Sequence, residues 1–157
     1  MNFGEKTSRL ILLAQKFAEV TLGFFETKGP GIGDKAANEF MDKLNASAKE
    51  MFDQDFSQRK ICGENKFAPD FYFPEEQTVV EFAFGLDKPM NEYERDIFKC
   101  LLAQDHGYKI RKLVLVTKPG GQARLSAPGP KAIKEWAGRM HDLEIEVWDL
   151  LPPEQGR

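Results

Sequence analysis

Apolar positions recur at intervals of three and four along the first third of the chain, the spacing of amphipathic helices. Leu10, Leu13, Phe17, Val20 and Phe24 predict a helix over about 7–25. Ala37, Phe40, Met41, Leu44, Ala48 and Met51 predict a second that ends near Phe52. Between them, Lys28-Gly29-Pro30-Gly31-Ile32-Gly33 breaks regular structure, and Asp34 offers an N-cap to the second helix. An edge strand over 58–64 is expected, carried by Ile61 and Cys62. Two β-rich runs, 67–73 and 78–84, then flank Pro74-Glu75-Glu76-Gln77 and read as a hairpin.

With the loop centred between Glu75 and Glu76, Phe73 opposes Thr78, Tyr72 opposes Val79, and Asp70 opposes Glu81. Asn91 and Glu94 predict a capping-box helix start, with Tyr93, Ile97, Leu101 and Gln104 on one stripe. Lys112-Leu113-Val114-Leu115-Val116-Thr117 reads as a buried central strand, followed by a helix over 130–141 and a strand over 144–150. The alternation of elements gives an α/β chain. It is read as one domain over 1–151, helical over 1–55 and α/β over 56–151, with a tail at 152–157.

Composition narrows the class. At 157 residues, 41% hydrophobic and 30% charged, the chain has the make-up of a globular domain with one core, and 13 Phe make that core aromatic-rich. The longest apolar run, Leu10 to Leu13, is far below a membrane span, and Met1-Asn2-Phe3-Gly4-Glu5 lacks the pattern of an export signal. Cys62, Cys100, His106 and His141 show no zinc-ligand spacing, so the expectation is a reduced, cytoplasmic protein with no membrane partner. The net charge of −3 hides a basic segment: over 109–139 the single acid Glu135 faces Lys109, Arg111, Lys112, Lys118, Arg124, Lys131, Lys134 and Arg139. Such a segment suits a polyanion, and equally a solvated face that binds nothing.

The opposed carboxylates carry the sharpest chemistry. Cross-strand partners on one side of a sheet lie with Cβ atoms ~4.5–5.5 Å apart, where like charges repel unless neutralised. Mg²⁺ or Mn²⁺ would neutralise them, because hard cations are held by one or two carboxylates plus water and phosphate oxygens. A solvated hairpin face is the alternative. The face of Phe71, Phe73, Val80, Phe82 and Phe84 reads as core, yet the acids share theirs with Tyr72, Val79 and Ala83, which argues for a partly buried site.

Pro69-Asp70, an acid eleven positions later in Val79-Val80-Glu81-Phe82-Ala83, a helix and then an apolar strand resemble the PD-(D/E)xK restriction-endonuclease-like phosphodiesterases. Val80-Glu81-Phe82-Ala83-Phe84-Gly85 followed by Tyr93-Glu94-Arg95-Asp96-Ile97-Phe98-Lys99 is similar to some type II restriction enzymes. The resemblance covers about 67–117. It implies a mixed central sheet with helices on both faces, metal-dependent cleavage of DNA or RNA, and a homodimer as one assembly. Asp70, Glu81 and the backbone carbonyl of Phe82 would hold Mg²⁺. The family's lysine, two positions after the second acid, is here Ala83; Lys99 is the candidate substitute, on a polar helix side with Glu92, Arg95 and Asp96 that also suits a plain solvent face. Gln104 and Tyr108 reproduce a Gln-x-x-x-Tyr spacing of some members.

Lys112, Lys118, Arg124 and Lys131 would contact the nucleic acid. Gly29 to Ala37 also resembles the hairpin of helix-hairpin-helix modules, in which the N–H groups of Gly31 and Gly33 would grip phosphate. The same glycines serve an ordinary interhelical turn. Gly31-Ile32-Gly33-Asp34-Lys35-Ala36 follows a helix instead of a strand, so it is not a dinucleotide fingerprint, and no Ser or Thr follows Lys35 as a P-loop requires. Cys62 and Cys100 read as buried hydrophobes, His106 as a partner of helix-terminal carbonyls, and Trp136 and Trp148 as core. Ala83 supports a rival, an inactive nuclease-like fold that binds nucleic acid or protein, and a plain interaction module stands behind it.

Overall fold

The computed structural model describes residues 2–26, 32–85 and 89–154. The chain divides into two compact units, Met1–Asp55 with Leu150–Arg157, and Phe56–Asp149. In the first unit, α1 (Glu5–Val20) packs with α2 (Ile32–Phe52). The buried stripe of α1 is Thr7, Leu10, Ile11, Ala14 and Ala18, one position away from the expected Leu13–Phe17–Val20 line, and Val20 is 63% exposed. The small side chains of Ala14 and Ala18 take the inward positions and are fully buried. The helix ends at Val20, short of the expected 25, because Thr21 is extended and Gly23 turns the chain at φ 80°. Phe24 is still buried, its ring 4.8 Å from that of Phe40.

In α2 the buried residues Ala36, Phe40, Leu44 and Ala48 repeat every fourth position. This helix starts at Ile32, so Gly33 and Asp34 lie in its first turn and Asp34 is not the cap. Gly31 lies outside the described residues.

The second unit is a four-stranded mixed sheet in the order β1 (Phe71–Phe73), β2 (Thr78–Ala83), β3 (Lys112–Thr117) and β4 (Glu144–Asp149). β1 and β2 are antiparallel with Phe71 opposite Val80, Tyr72 opposite Val79 and Phe73 opposite Thr78, the register expected from the four-residue loop. That loop is one 3-10 turn, Pro74–Glu76, closed by Gln77 at φ 51°. β2, β3 and β4 run parallel. The connections are α3 (Pro89–Asp105), then the four-residue α4 (Gly121–Arg124), which the sequence pattern did not indicate, and α5 (Pro128–His141).

The expected edge strand over 58–64 is not formed. Only a bridge between Ser57 and Phe71 exists, and Gln58 at φ 49° then turns the chain away from the sheet. α3 begins at Pro89, before Asn91, because proline suits the first helical turn, so the capping-box start is also displaced.

Both faces of the hairpin are buried. On one face α3 and α5 supply Tyr93, Ile97, Cys100, Ala103 and Ala137 to a core with Tyr72, Val79, Ala83, Leu113, Leu115 and Ile145. On the other, Phe71, Phe73, Val80, Phe82, Val114 and Val116 are buried, with the Phe71 and Phe82 rings 6.0 Å apart. Trp136 departs from expectation: it is partly exposed, its ring 4.9 Å from that of His141, because Ala137 and Ile133 take the inward positions of α5.

Candidate functional site

The hairpin places Glu81 in mid-β2, on the α3 side of the sheet, and Asp70 just before β1, opposite it. Two reciprocal bonds lock the pair: the Asp70 N–H donates to Glu81 Oε1 at 2.9 Å, and the Phe82 N–H donates to Asp70 Oδ2 at 2.8 Å. The remaining Asp70 oxygen accepts from Gln58 Nε2 at 3.2 Å. Thus the bridge segment that fails to become a strand still orients a site carboxylate.

α3 brings the counter-charge. Lys99 Nζ lies 3.0 Å from Glu81 Oε2 and 3.7 Å from Asp96 Oδ1, with 13% of its side chain exposed. Asp96, three residues earlier, occupies the same helix flank. It is 2% exposed and shares a side-chain hydrogen bond with Glu81, itself 3% exposed. Glu92, one turn before Asp96, accepts from the Gly85 N–H at 3.0 Å. The family's lysine position, Ala83, is buried in the core and offers no functional group.

Burial is the main cause of every raised carboxyl here. It raises the Glu81 carboxyl well above its usual range, reinforced by the charges of Asp70 and Asp96 and opposed by Lys99. Burial pushes Asp96 up to about 6, against its hydrogen bond with Glu81 and the pull of Lys99. It raises Asp70 too, against the Phe82 N–H, and Glu92, against the Gly85 N–H. Lys99 goes up because Glu81 and Asp96 outweigh its desolvation. Four acids and the two bases Arg95 and Lys99 therefore share one electrostatic neighbourhood. Asp96 is the residue that sequence reasoning passed over as a site group: its place on the polar side of α3 was the signal, and that side faces the carboxylates.

No family model, curated protein or solved structure matches the chain.

The residues expected to contact nucleic acid scatter. Lys118 follows β3 at the end of the sheet where β2 leaves Ala83, and its ammonium lies 5.7 Å from the Phe84 ring centre; burial lowers its pKa. Arg124 ends α4, beside the turn at Gly120. Lys131 is in the first turn of α5. Lys112 sits at the opposite end of β3, 3.5 Å from each of Glu144 and Glu146, and so stands apart from the others. Gln104 donates to the carbonyls of Ile110 and His141 at 2.8 and 3.1 Å, tying the end of α3 to the starts of β3 and β4; its spacing to Tyr108 thus serves packing. Among the described residues no three His, Cys, Asp or Glu converge on one cation position, and no helix is long and apolar enough to cross a membrane.

Proposed function

We propose that the chain is a metal-dependent nuclease with a restriction-endonuclease-like core, hydrolysing nucleic-acid phosphodiester bonds at Asp70 and Glu81. The observation that carries this reading is the charge balance: Asp70, Glu81, Glu92 and Asp96 against Arg95 and Lys99, with Glu81 and Asp96 nearly sealed from water. Buried carboxylates in excess of their cations are held as anions only by a further positive charge, or take up protons.

The donor set fits a hard dication. Asp70, Glu81 and the Phe82 carbonyl would hold Mg²⁺ or Mn²⁺ through the carboxylate lone pairs that the internal hydrogen bonds leave. Such an ion lowers the pKa of its water and offsets charge on a phosphate. Lys99 holds a positive charge beside Glu81, which Ala83 cannot provide. Lys118 and Arg124 would orient the backbone from the neighbouring strand end.

A second reading, a non-catalytic binding module, is favoured by one specific observation: all four oxygens of Asp70 and Glu81 already accept hydrogen bonds within the protein. Cleavage of supercoiled plasmid and labelled single strands in EDTA, Mg²⁺ and Mn²⁺ separates the two, comparing the wild type with the double variant Asp70→Asn, Glu81→Gln. The nuclease predicts metal-dependent cutting that the double variant loses. Equal traces from both proteins would leave the binding module.

A further inference from the structure

A cavity of about 300 Å³ lies between α3, α4 and α5, away from the carboxylates. Its apolar side is Tyr93, Leu125, Ile145 and Val147; its polar side is Gln122, Ser126, Lys131 and Lys134. The Ser126 hydroxyl already donates to the Gln122 carbonyl at 2.7 Å, so the donors left for a ligand are the Gln122 amide and two ammonium groups. Among the described residues no carboxylate lines the cavity and none is ion-paired with Lys131 or Lys134. Two other basic residues of this segment are neutralised, in contrast: Arg111 pairs with Asp142, and Lys112 with Glu144 and Glu146.

The walls are preformed. The Tyr93 hydroxyl donates to the Pro130 carbonyl at 3.0 Å, pinning α3 to the first turn of α5. The floor is β4, whose Val147 aligns with Leu115 and, through it, with Glu81. Lys131 and Lys134, three apart on α5, are helix-surface neighbours about 5–6 Å apart at Cβ. Two ammonium groups at that spacing match a dianion, and a phosphate monoester carries about −1.5 to −2 at neutral pH. A phosphodiester of the backbone carries only one charge.

We propose that this cavity binds the phosphate monoester of a nucleotide, with Lys131, Lys134 and Gln122 on the phosphate and the nucleoside over Leu125, Ile145 and Val147. The choice of a nucleotide as carrier rests on the nuclease reading; the preference for a doubly charged phosphate does not. The ester is that of a free mononucleotide or of the 5′ end of a strand.

The test is a metal-free titration of the ¹⁵N-labelled full chain with three probes: thymidine 5′-monophosphate, a 5′-phosphorylated thymidine tetranucleotide, and the same tetranucleotide without its terminal phosphate. The expected result is saturable shifts at Gln122, Ser126, Lys131 and Val147 with the phosphorylated probes, at least tenfold weaker with the unphosphorylated one. Affinity should fall at least tenfold in Lys131→Gln, Lys134→Gln, whose side chains are exposed, and stay unchanged in Arg139→Gln, on the neighbouring depression. Equal binding of both monoesters assigns any nucleotide end; binding of the tetranucleotide alone assigns a strand end. Equal affinity for the phosphorylated and unphosphorylated strands, no saturation, or an undiminished double variant would overturn the proposal. Because no cleavage is read, it can fail while the nuclease reading stands, and the reverse.

Discussion

Replacing Lys99 by Met keeps most of the side-chain volume and removes the ammonium that lies between Glu81 and Asp96. At 3.0 Å and an effective dielectric near 20, the Glu81 contact alone is worth roughly 5 kcal/mol. Part of that offsets the desolvation of the lysine, so the expected net loss at pH 8 is about 3 kcal/mol, at the low end of the range for breaking a buried pair. At pH 5 the loss should be smaller, because Asp96, at about 6, is then largely protonated, and Glu81, raised by its burial, gives up its charge sooner than a free carboxylate as pH falls. The assay is urea unfolding followed by tryptophan fluorescence at both pH values, with Glu81→Gln and the double variant completing a cycle. A coupling energy of about 3 kcal/mol at pH 8 that falls at pH 5 is the prediction. A loss that is the same at both pH values, or a coupling below about 1 kcal/mol at pH 8, would refute the buried-network argument.

Asp96 is raised from 3.8 to about 6 in the fold, so the native state binds its proton more tightly and stability falls as pH rises through that interval. The stability of the wild type relative to Asp96→Asn should therefore drop by up to about 3 kcal/mol between pH 4 and 7, as read by denaturant unfolding. Gly121→Ala should cost roughly 1–3 kcal/mol in the same assay, because its Cβ would fall inside the side chain of fully buried Thr117, which bonds to Asp149. Lys118→Gln with Arg124→Gln should lower the salt slope of DNA binding by about 2 without altering its sequence preference, measured by fluorescence anisotropy across salt concentrations.

The hairpin was legible because a period of two combined with a four-residue loop leaves one register, and that register alone sets Asp70 across from Glu81. The central strand at 112–117 and the α/β order were legible from a different signal, a short continuous apolar run between helical patterns. Asp96 was not, because a polar helix stripe has one spacing whether it meets water or another charge. The segment at 58–64 misled because Ile61 and Cys62 are buried without belonging to a ladder; the Cys62 thiol instead donates to the Lys99 carbonyl at 3.3 Å. The shifted stripe of α1 reflects small alanines on the inward face, a packing preference that a count of large apolar residues misses.

The central claim is that Asp70 and Glu81 form a hard-cation site, and the most direct test is Mn²⁺ binding at pH 7.5, read by electron paramagnetic resonance without nucleic acid. The account predicts a saturable site that Mg²⁺ displaces, abolished in Asp70→Asn and in Glu81→Gln while both variants stay folded by circular dichroism. Undiminished Mn²⁺ binding in either variant, or no saturable binding by the wild type, would contradict it.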